Sequence, residues 1–191
     1  VYKSAQHMNQ LVEDLLDLSR IESGLPLLMK AMSLAELLTE VVNHFKLTAV
    51  QKGVMLRFSP LPSDLVLQAD RGRLAQVFSN LVGNAIKYTP HGTVKVALTD
   101  GKSIRFSVQD SGVGISDDDK QRLFTEGGHG KDSIKVNVDS TGYGLFVAKQ
   151  VTEAHGGTIR AESEGTGKGS EFIVELRRQI EAWYDEVCPE E

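Results

Sequence analysis

The chain has 191 residues, enough for one good-sized domain with an appendage or for two small domains. It is 40% hydrophobic and 25% charged, which fits an ordinary globular protein and excludes a disordered one, and its net charge of -5 leaves no broad basic footprint for nucleic acid. The single cysteine, Cys188, rules out an internal disulfide and points to a reducing, cytoplasmic setting.

Residues 1–23 read as one helix. Val1, Met8, Leu11, Leu15 and Leu18 follow a heptad-like spacing, and Val12, Leu16 and Ile21 widen the stripe. A face this wide needs a bundle to cover it. Gly24 and Pro26 stop the helix. The chain begins without methionine inside this pattern, so further chain is expected upstream, with room there for a membrane tether. No apolar run in the sequence reaches the roughly 18 residues of a span.

A short strand is expected at residues 27–32. Ser33-Leu34-Ala35-Glu36 is a capping box that opens a helix through Leu37, Leu38, Val41, Val42 and Phe45 to Gly53. Strands at 54–59 and 65–69 follow, split by a turn, and Asp70 is placed to cap the next helix. That helix carries Gln76-Val-Phe-Ser-Asn80-Leu-Val-Gly-Asn84-Ala-Ile-Lys87-Tyr88. Val77, Leu81, Val82 and Ala85 form a core face. Asn80 and Asn84 share another side, within reach of Lys87. Two carboxamides beside a lysine suit a polyphosphate with Mg²⁺, which takes oxygen ligands. A solvated polar face accounts for the same residues.

Thr89-Pro90-His91-Gly92 ends the helix, and residues 93–99 and 103–109 alternate as a hairpin. Asp110-Ser-Gly112-Val-Gly114-Ile115 then ends a strand. Such an aspartate can accept from an exocyclic amine, the glycines would let backbone approach a flat ring, and Ile115 would pack on that ring. A plain strand-ending turn fits these residues as well. Ser116 caps a short helix to Phe124, and residues 125–141 form a long loop. A helix from about Gly142 to His155 begins with Thr141-Gly142-Tyr143-Gly144-Leu145, where free backbone amides would attract phosphate, although simple loop flexibility explains the glycines too. A second hairpin, 158–163 and 171–176, surrounds a glycine-rich turn. Ile180, Trp183, Tyr184 and Val187 give the tail helical spacing. The fold expected is α+β, a helix layer on a mixed, largely antiparallel sheet, preceded by the long bundle-forming helix.

Taken in order, Asn80-x-x-x-Asn84-Ala-x-Lys-Tyr, Asp110-x-Gly-x-Gly, Phe124, Gly142-x-Gly144-Leu145 and the glycine-rich turn resemble the catalytic ATP-binding domain of sensor histidine kinases. That domain belongs to a superfamily shared with DNA gyrase, the chaperone Hsp90 and the mismatch-repair protein MutL. The resemblance covers about residues 33–176, and Leu11 to Glu22 looks like the end of the second helix of the kinase dimerisation hairpin. It implies a two-layer sandwich of helices on a five-stranded sheet, with residues 1–24 as partial hairpin, 25–176 as catalytic domain and 177–191 as an extra tail.

The resemblance also implies roles. Asn84 and Asn80 hold Mg²⁺, Lys87 meets phosphate and Tyr88 lies against the nucleotide. Asp110 reads the adenine amine, Gly112, Gly114 and Ile115 shape the base pocket, and Ser170 stands where a threonine is common. Thr141, Gly142, Tyr143, Gly144 and Leu145 belong to a mobile lid over the phosphates. Three positions depart from the family pattern: Ser140 and Gly127 replace a common glycine and a common aromatic, and Tyr143 replaces a common leucine.

The acceptor histidine of such kinases precedes an acidic residue. His7 precedes Met, His44 precedes Phe, and His91, His129 and His155 precede Gly, so the acceptor is expected upstream. Water-activating relatives carry a glutamate where this chain has Asn80, and an amide is no base. The expected activity is therefore transfer of the ATP γ-phosphoryl to a histidine, with a response-regulator receiver domain and a second copy of the chain as partners. The alternative is a nucleotide-gated interaction module that binds ATP without phosphotransfer.

Overall fold

Helix α1 (Leu34–Lys52) starts where Ser33 leaves extended backbone and its hydroxyl accepts the Glu36 amide at 3.3 Å. It ends at Gly53, whose φ of 72° lets its amide turn back to the Ala49 and Val50 carbonyls. Leu34, Leu37, Leu38, Val41 and Val42 are buried at helical spacing, as the sequence pattern predicts. This computed structural model describes residues 27–59, 65–126 and 142–178. The helix expected over 1–23, most of the loop at 125–141 with Thr141, and the tail beyond 178 lie outside them.

Strand β1 (Lys30–Ser33) begins later than the apolar run from residue 27 suggests. Its partner β3 (Val66–Ala69) offers only four residues, from Ala69 opposite Lys30 to Val66 opposite Ser33. Leu28 and Met29 stay outside the ladder and are 74% and 39% exposed.

Helix α2 (Arg71–Tyr88) is the Asn-bearing helix. Asp70 caps it through Oδ1, which accepts the Arg73 amide at 3.0 Å. Leu74, Val77, Phe78, Leu81, Val82, Ala85 and Ile86 form its buried face, and the Phe78 ring meets Phe106 with centroids 4.4 Å apart.

The main sheet has five strands, in the order β2-β4-β5-β7-β6. Strands β4 (Gly92–Asp100) and β5 (Ile104–Asp110) form the first hairpin; β6 (Thr158–Glu162) and β7 (Ser170–Leu176) form the second. Strands β5 and β7 join the hairpins antiparallel. The one parallel pair in this sheet is β2 (Val54–Ser59) with β4, and the connection between them carries β3 and α2. Alternating residues Val94, Val96, Leu98, Ile104, Phe106 and Val108 turn one face into the common core with the helices. The result is the expected helix layer on a mixed, largely antiparallel sheet.

Two further helices complete the described residues. Helix α3 (Asp117–Lys120), capped by Ser116, is shorter than expected and gives way to turns before Phe124. Helix α4 (Gly144–Ala154) begins two residues after Gly142, whose φ of 77° a right-handed helix does not admit. Among the described residues no helix is long and apolar enough to cross a membrane.

Candidate functional site

Asp110 closes β5 in register with Ser170, the first residue of β7. It is 6% exposed. Its Oδ2 accepts the Ser170 hydroxyl at 2.5 Å and its Oδ1 accepts the Gly112 amide at 2.8 Å. Burial pushes the carboxyl above its ordinary range, against the opposing pull of these bonds. The group is thus a fixed acceptor at the end of the sheet, suited to an amine donor.

The glycines after Asp110 serve a purpose the spacing does not reveal. From sequence they read as room for a flat ring; in the structure that room holds protein backbone. A Cβ on Gly112 would stand 2.2 Å from the Tyr88 carbonyl oxygen, and one on Gly114, with φ of 70°, 2.1 Å from that of Gly165. The glycine-rich turn closes the same seam: Gly167 donates to the Val113 carbonyl at 2.6 Å and Gly169 to that of Gly112 at 3.2 Å. Ser163 Oγ accepts the Ile115 amide at 3.1 Å and donates to the Gly169 carbonyl at 2.6 Å. Ile115 itself is buried and joins the main core.

The polar face of α2 carries Asn80, Asn84, Lys87 and Tyr88, all half-buried. Asn80 Nδ2 donates to the Gly144 carbonyl at 3.0 Å, which ties the middle of α2 to the first residue of α4. Its Oδ1 is left as the acceptor atom of that amide. The Lys87 ammonium lies 5.5 Å from the centre of the Tyr88 ring. The start of α4, at Tyr143, Gly144 and Leu145, has no side-chain cap, so its first amides keep the capacity to bind an anion. The structure therefore joins Asn80 to Gly144, Asp110 to Ser170 and to Gly112, and Gly112 to Tyr88.

A match to the family described as histidine kinase-, DNA gyrase B-, and HSP90-like ATPase runs over residues 69–180. The chain belongs to that family. It is 36% identical over 189 residues to the circadian input-output histidine kinase CikA of Synechococcus elongatus, covering 94% of this chain and 24% of CikA. It is 32% identical over 192 residues to the sensor-like histidine kinase SenX3 of Mycobacterium tuberculosis, covering 98% of this chain and 46% of SenX3. The chain thus spans less than half the length of these curated relatives. Among solved structures, full-length ShkA in complex with AMPPNP superposes with a TM-score of 0.76 at 32% identity, covering 91% of this chain and 36% of ShkA. The nucleotide-free catalytic domain of histidine kinase ThkA superposes with a TM-score of 0.65 at 29% identity, covering 78% of this chain and 95% of that domain. In family and fold the described residues are a histidine kinase catalytic domain.

Two residues of this ATPase-family fold escape sequence reasoning. Lys52, the last residue of α1, donates from Nζ to the Ile86 carbonyl at 2.8 Å and also to that of Lys87. His155 accepts the Asp70 amide at Nε2, 3.0 Å away. Both act on backbone groups, for which the partner's side chain leaves no pattern. The only signal for His155 is its place between a helix and the pair Gly156-Gly157.

Proposed function

We propose that the chain binds Mg-ATP and passes its γ-phosphoryl to a histidine outside the described residues. One observation carries this reading. A buried, doubly bonded Asp110 lies at one end of the core sheet, while the Asn80 carboxamide and an uncapped helix start meet at the Asn80–Gly144 bond. The first suits an adenine amine; the second suits phosphates with a hard cation.

The donor set fits Mg²⁺. Asn80 and Asn84 supply amide oxygens one helical turn apart, and among the described residues no cluster of His, Cys, Asp or Glu offers a softer or more anionic site. Bound there with the phosphates, Mg²⁺ would supply charge neutralisation at the transferred group. The remaining tasks belong to this chain. Asp110, with Ser170, holds the base. Lys87 offsets phosphate charge, and the first amides of α4 orient the phosphoryl oxygens. An amide at position 80 leaves water without a base there, so the geometry favours an incoming imidazole over hydrolysis. The protein's contribution is position and electrostatics, which is what phosphoryl transfer needs.

The test supplies γ-labelled ATP and Mg²⁺ to the chain mixed with a histidine kinase dimerisation hairpin that carries an acceptor histidine. Acid-labile label on protein, lost in Asn84→Ala, supports the kinase. ATP binding with no label overturns phosphotransfer and leaves the nucleotide-gated module.

A further inference from the structure

His155 follows the last residue of α4 and is 8% exposed, with both ring nitrogens engaged. Nε2 lies 3.0 Å from the Asp70 amide, which can only donate, so Nε2 is the acceptor. The ring proton is then on Nδ1 and is donated to the Val151 carbonyl at 2.8 Å. The bond to Asp70 joins the end of α4 to the cap of α2. Asp70 is fully used: its carboxylate accepts the amides of Leu28 at 2.9 Å and Arg73 at 3.0 Å, and its own amide goes to His155.

At its other end α4 is held by the Asn80–Gly144 bond. Between the two bonds the seam is apolar, with Val147, Ala148 and Val151 in the core shared with α2. Apolar contacts are non-directional, so polar bonds at the two ends set where α4 stands along α2. We infer that His155 is a positioning residue for the phosphate end of the nucleotide site, fixing the start of α4 against Asn80 from the far end of that helix. This rests on the Mg-ATP reading and adds a residue outside the pocket to it.

The test measures dissociation constants of Mg-ATP and of adenosine for the parent chain, His155→Leu and His155→Gln. Leucine keeps the bulk without hydrogen bonds; the glutamine Oε1 stands near the place of Nε2 and can accept from Asp70. Loss of the bond to Asp70, with that amide donor left unpaired, should weaken Mg-ATP about tenfold in His155→Leu. Adenosine, which has no phosphates to meet α4, should stay within about twofold, and His155→Gln should recover most of the ATP affinity. Parent-like ATP affinity in His155→Leu overturns the proposal, and so does an equal loss for ATP and adenosine, the mark of a purely structural residue. If the leucine variant does not fold, His155→Gln against His155→Asn decides, because the shorter amide cannot reach Asp70; equal ATP affinities in those two overturn it. A parent that binds no ATP sinks the nucleotide reading and this role with it, whereas a binding parent with any of the equalities above sinks the role alone.

Discussion

The carbonyl of Tyr88 lies against Gly112 so closely that a Cβ on residue 112 would stand 2.2 Å from its oxygen. The same oxygen accepts the Val113 amide at 3.1 Å, and the Gly112 amide is donated to Asp110. The end of the Asn-bearing helix and the loop after β5 are therefore one bonded unit.

Any side chain at 112 must push that unit apart. Gly112→Ala should lose about 2–3 kcal/mol of stability and should weaken adenosine along with ATP, because the amide that holds Asp110 moves. Gly156 is the control. Its φ is +70°, unlike that of Gly112, but a Cβ there meets nothing within 4 Å, so Gly156→Ala should lose only about 1 kcal/mol, from backbone strain. Urea unfolding of both variants checks the contrast, and equal losses would contradict the contact.

Lys52 closes the same end of that helix from α1. Its ammonium, lowered in pKa by burial, donates to the Ile86 carbonyl, which otherwise has only the long 3.4 Å bond from the Thr89 amide, and to the Lys87 carbonyl in the last turn. Lys52→Met should lower stability by about 1–2 kcal/mol. Amide exchange should quicken at Tyr88 and Thr89 and stay unchanged at Leu74, near the helix start. Uniform quickening along α2 would show that Lys52 serves global stability only.

Asp110 sets a pH dependence. Burial raises its folded-state pKa above the ordinary carboxyl value of 3.8, so as pH rises the unfolded chain releases this proton first. Its ionisation thus costs stability, beginning near the unfolded value and complete above the folded one. Asp110→Asn can keep both internal bonds, to Gly112 and Ser170, without a buried charge. It should match or exceed the parent in thermal stability at neutral pH, while adenine affinity falls about tenfold or more for want of the charged acceptor. In the parent, adenine affinity should fall on acidification at a pH above the ordinary carboxylate range. A variant with parent-like affinity would remove Asp110 from the base pocket.

Asn84 lies one turn beyond Asn80 on the polar side of α2. Asn84→Ala removes an amide oxygen and little packing. ATP affinity measured in Mg²⁺ should drop to the value measured in EDTA, with the melting temperature within about 2 °C of the parent. Retained Mg²⁺ enhancement would move the cation elsewhere.

Much of this was legible in the chain. The capping residues Ser33, Asp70 and Ser116 and the buried faces of α1 and α2 lie where local spacing puts them. So do the two hairpins and the strand end at Asp110. Each depends on residues within a few positions of one another, and local periodicity and turn chemistry encode such relations. The order of the polar motifs along those elements was enough to name the family.

Only the tertiary structure decided the rest. It pairs β2 with β4 in parallel, sets Tyr88 against Gly112, brings Lys52 to the end of α2 and joins His155 to Asp70 across 85 positions. In the last three contacts the partner group belongs to the backbone. Every residue carries a carbonyl and all but proline an amide, so no residue type announces such a partner, and the contact exists only once packing has brought the two segments together.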